Sequence, residues 1–565
     1  MDFSIVHYFV FLLVWVGIVV FDFKKSLLFL PLFIPFYLFK FEVLSVPVNL
    51  VEMMIFVLFG VFVLRAILEL FMNKTTGHLG LLRMYSKRFF IPVGVFLLGV
   101  VGGLFVSFNA GDVVGALGIF KGWVFVPILY AFMLMFELSD YEDRRLMLRA
   151  YFGSAAVLGV VGLYQAVTGD YITIDQRVSG PFESANYLAL YIAPAVLATF
   201  ISLWQGIRSR KKFTAYLFEI LVMVVVGLAL LFSRSYGAFL GVSIGFIAFW
   251  GYEIFYSRYQ KFYGKLWVKI VVPLVIVLLG SVVVLTQFGT TKFNDFLEFD
   301  QQSSSSVRMQ VWEVAANFAL ENPVLGIGLG GYEDRYAAEA IGILGYEPYE
   351  SNMLHSHNLL VSTWLNSGLL GLIGLVLMIV FGVISFRKGV YKGEEKDVAV
   401  VFLIMLVVIL VHGIFDQPFW KNDLALLWWI VLSGLMFSGF SRISGKVEKG
   451  RGLGKKLSYP TINLKIPKDK QIEGTYVCYV ELPGKGEKYY GAGFVGTKRG
   501  LGAKKAICEV YLFGKCGDIY GEKVNVYLMH KIRDVQKFKN LKELKAMINS
   551  DVKFSKKYLK NKGYA

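Results

Sequence analysis

The chain has 565 residues, 56% of them hydrophobic and 16% aromatic. Its mean hydropathy of +0.59 excludes an ordinary soluble enzyme of this length. From Arg442 onward 28 basic residues face 11 acidic ones, an excess equal to the net charge of +17, so the preceding segment balances at 30 of each. We therefore read residues 1–440 as a membrane domain and 441–565 as a separate basic domain.

Apolar runs near 20 residues predict membrane helices. They fall near 3–20, 26–40, 48–72, 90–107, 112–136, 148–167, 187–205, 214–232, 236–256, 267–287, 358–386, 398–418 and 422–440. No small-residue cleavage site follows the first, which reads as a retained helix. One set of loops holds basic clusters such as Arg83/Lys87/Arg88, Arg144/Arg145/Arg149 and Arg208/Arg210/Lys211/Lys212. The alternate loops hold only Lys40, Arg177, Arg234, Lys292, Arg308, Arg335 and Lys421. The positive-inside rule puts the first set in the cytoplasm, so about 13 spans leave the N-terminus outside and the basic domain inside. Cys478, Cys508 and Cys516 lack metal-ligand spacing and suit a reducing compartment as free thiols.

Residues 288–357 form an external segment too long for a plain connector. Val311, Val314, Ala315 and Phe318 give it a helix, which "ENPVLGIGLGG" ends with proline and glycines. The outer face thus carries Arg177, Arg234 and Arg308 beside His357. Each arginine alone could snorkel or pair with a loop acid, and His357 could merely begin a helix. Together they suit a diphosphate, because a guanidinium bonds phosphate oxygens in pairs. A histidine can take the proton of an acceptor hydroxyl.

The stretch "HNLLVSTWLNSGLLG" sets His357 and Asn358 nine residues before Gly368 and two more before Gly371. With "RMQVW…ENPVLGIGLGGY" and "SRSYGAFL" it resembles the O-antigen ligase and polymerase family of bacterial membrane glycosyltransferases. The resemblance covers roughly 170–440. It implies a polyprenyl-diphosphate-linked glycan donor, an acceptor at the outer face of the cell membrane and no cofactor for this domain. It implies that His357 activates the acceptor and that Arg234 and Arg308 hold the diphosphate. His355 stands outside the signature and is expected to matter less.

The basic domain opens with "GRGLGKKLSYPTINL". Its glycines can bring backbone N–H groups to phosphates, but the GK[ST] ending of a Walker loop is missing. "TYVCYVEL", "KYYGAGFVG", "AICEVYLF" and "KVNVYLM" read as strands, several in about 90 residues, as in a small barrel. Asn540 and Glu543 then begin a helix whose apolar face is Leu541, Leu544, Met547 and Ile548. The positive charge suits anionic lipid, and no nucleic-acid motif accompanies it.

The order of these segments resembles riboflavin kinase over about 445–560. The resemblance implies a six-stranded antiparallel barrel with a terminal helix, using Mg2+ and ATP to convert riboflavin to FMN. Carried over, Gly452, Gly454 and Lys456 lie against the nucleotide phosphates, Thr461 and Asn463 hold Mg2+ and nucleotide, and Glu509 is the general base. No adenylyltransferase unit accompanies the barrel, so FMN rather than FAD is the expected product. Two positions depart from the family: Lys498-Arg499 replaces a Pro-Thr pair, and Ser458 replaces a glycine. The leading reading is a bifunctional membrane protein, a glycan transferase joined to a riboflavin kinase. A transferase with a non-catalytic flavin- or nucleotide-binding module, and a riboflavin transporter with a trapping kinase, are the alternatives.

Overall fold

The computed structural model describes residues 5–43, 46–71, 78–138, 141–208, 213–256, 288, 304–388, 394–437, 441–450, 454, 457–465, 473–482, 488–497, 506–514, 516–536, 538 and 540–561. Helices dominate up to residue 436. They are α1 (Ile5–Phe21), α2 (Phe23–Phe29), α3 (Leu50–Phe71), α4 (His78–Asn109), α5 (Val113–Ile119), α6 (Val126–Glu137), α7 (Tyr141–Thr168), α8 (Ala185–Arg208), α9 (Leu217–Ser233) and α10 (Tyr236–Tyr256). There follow α11 (Ser304–Glu321), α12 (Tyr332–Leu344), α13 (Leu359–Lys388), α14 (Glu394–His412) and α15 (Asn422–Met436).

Among the described residues eight stretches are long and apolar enough to cross a membrane, and this is a multi-pass membrane protein. They coincide with eight of the thirteen expected spans, and the other five are not confirmed. The prediction at 267–287 lies outside the described residues. At 3–20 the helix has only 17 residues, and at 422–440 only 15. The helix expected at 398–418 ends at His412, after a charged first turn. The segment at 26–40 is not one α-helix: α2 gives way to a 3-10 helix, Leu30–Leu38, at Pro31 and Pro35, which supply no N–H to the helical ladder. Its 3-10 rise still makes the composite segment about 28 Å long, close to the hydrocarbon thickness.

Short α15 is buried along its length from Asp423 to Met436. A helix apolar on every side belongs at the centre of a bundle, where neighbours rather than lipid cover it. The span Val113–Glu137 is α5 and α6 joined through a π-helical turn at Phe120–Phe125.

Helices α4 and α13 meet through glycine. A Cβ on Gly99 would lie 2.1 Å from Gly371 N, and one on Gly103 would lie 2.1 Å from Asn366 O. Gly368 breaks α13 with φ 63°, and a Cβ there would lie 1.9 Å from Val324 O. The glycine-rich loop after α11 docks at this break: Leu369 N donates to Val324 O and Ile327 N to Leu365 O, at 3.1 and 2.8 Å. Helices α11 and α12 are thereby seated on α13. Their own core includes Val311, Val314, Ala315 and Phe318, the residues expected to face inward.

The C-terminal unit contains β3 (Ser441–Lys446), β4 (Thr461–Lys465), β5 (Gly474–Glu481), β6 (Lys488–Thr497), β7 (Ala506–Leu512) and β8 (Lys523–Arg533), numbered after the hairpin β1 (Lys40–Val43) and β2 (Val46–Asn49). The antiparallel order is β3-β8-β5-β6-β7-β4, nearly closing a six-stranded barrel. Alternation sorts β5 by face. Cys478 and Val480 enter the barrel core, whereas Val477 and Tyr479 lie under the last helix, α16 (Leu541–Asn561).

Asn540 caps α16 as expected, its Oδ1 accepting from Glu543 N at 2.9 Å. Of the expected face, Leu544, Met547 and Ile548 are half-buried, and the same stripe becomes fully buried in the later turns. Leu541 is exposed, and Asp551, Val552, Ser555 and Leu559 are buried. The sequence showed an apolar stripe in the first turns. The barrel meets the later ones, where Asp551 forms a paired contact with Arg533 at 2.9 and 2.7 Å. All three cysteines are free.

Candidate active sites

The site in the helical domain is assembled by the 413–421 loop. Asn358 begins α13, its Oδ1 accepting from Leu360 N and Val361 N at 3.0 and 3.1 Å, and its Nδ2 donates to Ile414 O at 3.0 Å. Leu359 N donates to Gly413 O at 2.7 Å, and Arg308 Nε donates to Phe415 O at 3.1 Å. These bonds carry Asp416 to His357, with Nδ1 of the imidazole 3.6 Å from Oδ1 of the carboxylate. The separation is that of an ion pair, long for a hydrogen bond; such catalytic contacts commonly shorten when substrate binds. Asp416 is 2% exposed. Burial raises its pKa, but the contact with His357 outweighs burial and holds it ionised.

His355 has a definite position here. His357 N donates to its Nδ1 at 3.3 Å, and its Nε2 lies 3.2 Å from the Tyr187 hydroxyl. Burial first, then the charge of His357, drives its pKa down to about 3, so it is neutral with Nδ1 as acceptor. His355, His357 and Asp416 offer ligand atoms within 4.8 Å of one another. Both nitrogens of His355 are already committed, so the cluster does not fit a metal through that ring. His357 has φ 45°, a left-handed conformation costly for a side-chain-bearing residue. His355 ties down the backbone of that turn.

Arg177 lies on the 169–184 loop, paired with Asp175. Arg308 is held below its ordinary pKa by burial, with Asp416 opposing and Arg177 adding to the shift, so both guanidiniums share one field. Arg234 is the left-handed C-cap of α9, with φ 49°. Its turn adjoins the Arg177 loop through Val178 N donating to Phe232 O at 3.3 Å. Thus Arg177, Arg308 and His357 converge, and Arg234 occupies the adjoining turn. Sequence reasoning missed Asp416 and undervalued His355. The i, i+2 spacing of the two histidines was the available signal.

In the barrel, register assembles the second site. Asn463 on β4 is paired with Glu509 on β7, and Thr461 with Tyr511. Residues two apart share a face and cross-strand partners stay on it. Thr461, Asn463 and Glu509 therefore line one outer face, while Leu464, Cys508 and Val510 fill the core. The glycine-rich segment folds over that face. A Cβ on Gly450 would lie 2.3 Å from Asn463 Nδ2, and one on Gly454 would lie 2.4 Å from Tyr459 O and 3.2 Å from Thr461 Oγ1. Asn463 Nδ2 donates to Thr461 O at 3.3 Å, which leaves Oδ1 as the acceptor facing outward from that bond. Two neutral oxygen donors beside a glycine cradle fit Mg2+. Gly452, Lys456 and the Lys498-Arg499 pair lie outside the described residues.

Comparison with known proteins agrees with both halves. Residues 439–559 match the riboflavin kinase family and residues 220–376 the O-antigen ligase family. The chain carries an O-antigen ligase domain and a riboflavin kinase domain. A bifunctional riboflavin kinase/FMN adenylyltransferase of Haemophilus influenzae is 34% identical over 118 residues, 21% of this chain and 38% of that protein. One from Escherichia coli is 37% identical over 111 residues, 19% of this chain and 35% of that protein. This chain therefore spans less than two-fifths of the length of these relatives. An uncharacterized protein of Haemophilus influenzae is 25% identical over 298 residues, covering 50% of this chain and 69% of its own. The ligase match includes Arg234, Arg308 and His357 but stops before Asp416.

In the riboflavin kinase domain, the departure at Ser458 has a structural consequence. Ser458 has φ 73°, the region in which glycine is unstrained. Ser458→Gly is expected to stabilise the β4–β7 face by up to about 1 kcal/mol. Hydrogen exchange of β4 and β7 in the full chain would report it as slower exchange. Unchanged or faster exchange would show that the turn carries no strain.

Proposed function

We propose that the protein is bifunctional, with a glycan transferase at the outer face of a bacterial cell membrane and a riboflavin kinase on the cytoplasmic side. Residues 1–440 and 441–565 are the two units. The observation that supports the first activity best is the placing of Asp416 behind His357, with Arg177 and Arg308 alongside.

In the transferase, the arginines hold the diphosphate of a polyprenyl-linked glycan, and Arg234 borders the same site. The acceptor oxygen attacks the anomeric carbon, the bond from that carbon to the phosphate oxygen breaks, and the lipid diphosphate leaves with the electron pair. His357 faces Asp416 through Nδ1, so Nε2 takes the acceptor's proton. Asp416 stabilises the imidazolium that forms. His357→Ala is expected to abolish transfer from a polyprenyl-diphosphate donor, and Asp416→Asn to slow it on the order of 10²–10⁴-fold. His355→Ala slows it too, through the loosened turn. Full transfer by the His357 variant would end this reading.

In the kinase, Glu509 takes the proton of the riboflavin 5′-hydroxyl as that oxygen attacks the γ-phosphorus of ATP. ADP leaves with the electrons of the broken bond. Mg2+ held by Thr461 and Asn463 would neutralise phosphate charge. The glycine segment brings backbone against the nucleotide, and Gly452, Gly454 and Lys456 belong to that contact. The support is the cross-strand pair Asn463–Glu509, which sets base and metal donor side by side. Glu509→Gln is expected to keep flavin binding and lose roughly 10²–10⁴ in FMN formation. Thr461→Val should instead raise the KM for Mg-ATP. A wild-type chain that binds flavin and forms no FMN would leave a binding module.

The basic loops predict that the tail faces the cytoplasm and His357 the opposite side. A cysteine placed at residue 350 should react with an impermeant reagent in intact cells, while a fused reporter after residue 440 stays protected. The reverse labelling pattern would overturn both assignments.

A further inference from the structure

Lys421 has no part in the chemistry above, yet it stands at the same site. Its ammonium lies 3.7 Å from the ring centre of Tyr187, 4.5 Å from that of Phe182 and 5.8 Å from that of Tyr37. Among the described residues no carboxylate comes within ion-pair distance of it. Aromatic faces attract the cation but leave N–H donors without lone-pair acceptors. Burial lowers its pKa, and Asp423, Asp416 and Glu183 only partly oppose this. A half-buried ammonium so placed gains from any acceptor that arrives.

The cage is also in register with the histidines. Tyr187 carries the ammonium on its ring and His355 on its hydroxyl, and His355 accepts from the backbone of His357. We infer that Lys421 is a phosphate subsite, its ammonium binding an oxygen of the donor's diphosphate alongside Arg177 and Arg308. The inference rests on the transferase reading. The ligand is phosphate rather than sugar because an ammonium bonds an anionic oxygen more strongly than a neutral hydroxyl, and the rings on which a sugar would stack already face the ammonium.

The test is binding of polyprenyl diphosphate, the neutral polyprenol and inorganic diphosphate to the full-length protein in lipid nanodiscs. Lys421→Met keeps the length of the side chain and removes the charge. It should weaken binding of the lipid diphosphate on the order of 10-fold to 100-fold and leave the polyprenol unchanged. Tyr187→Phe keeps the cage and removes the bond to His355, so it should preserve diphosphate affinity while slowing transfer. This variant separates phosphate binding from a general loss of structure. If wild type discriminates between the two lipids and Lys421→Met discriminates equally, the lysine's role is overturned and the transferase reading stands. If wild type does not discriminate, both fall. Inorganic diphosphate bound as tightly as the lipid form, with the same dependence on Lys421, would overturn the assignment to the lipid-linked donor.

Discussion

The site in the helical domain depends on one loop being tied to the start of one helix. Backbone and side-chain bonds from Asn358, the amide of Leu359 and Arg308 converge on three consecutive carbonyls, those of Gly413, Ile414 and Phe415. The next residue is Asp416. Because the carbonyls are fixed, the carboxylate has no choice but to lie behind His357. The same loop ends at Lys421, so its position sets both the partner of the histidine and the cation in the aromatic cage.

Strain marks both sites. Among the described residues four non-glycine positions are left-handed: Gln176, Arg234, His357 and Ser458. Two are candidate site residues, Gln176 precedes Arg177, and Ser458 lies in the turn leading to Thr461. Each costs on the order of 1–3 kcal/mol unless its surroundings over-determine it. At His357 the surroundings are His355 below the backbone and Asp416 beside the ring. Strain of this kind aims a side chain where a relaxed turn would not.

Glycine does related work in both domains by letting backbone approach backbone or side chain. In the membrane domain Gly99, Gly103, Gly368 and Gly371 allow α4, α13 and the loop after α11 to meet with almost no space between them. The glycines Gly368 and Gly371 thereby help build the platform for α11 and α12. In the barrel Gly450 and Gly454 let the N-terminal segment lie directly on Asn463 and Thr461. A side chain at these positions would run into Asn463 and Thr461 on β4.

Local sequence by itself determined much of this protein. Apolar runs dictated most of the membrane helices, because a bilayer selects for length and hydropathy. Short aromatic and β-branched runs bounded by turn residues dictated the strands, and the Asn540 cap dictated the start of α16. His357, Arg308, Thr461, Asn463 and Glu509 were legible as chemistry because each sits in a patterned stretch. Among the described residues the expected spans are least well matched where those local signals are weakest. Prolines turned 26–40 partly into a 3-10 helix, and the short α15 is apolar because protein surrounds it. Only tertiary structure decided that Asp416 stands behind His357, that His355 is neutral and braces the turn, and that Lys421 is caged by Tyr37, Phe182 and Tyr187. These residues come from four separate segments, and nothing in the spacing along any one of them encodes a contact made across the bundle. Strand register likewise brought Glu509 beside Asn463, since pairing between strands is fixed by the closure of the whole barrel.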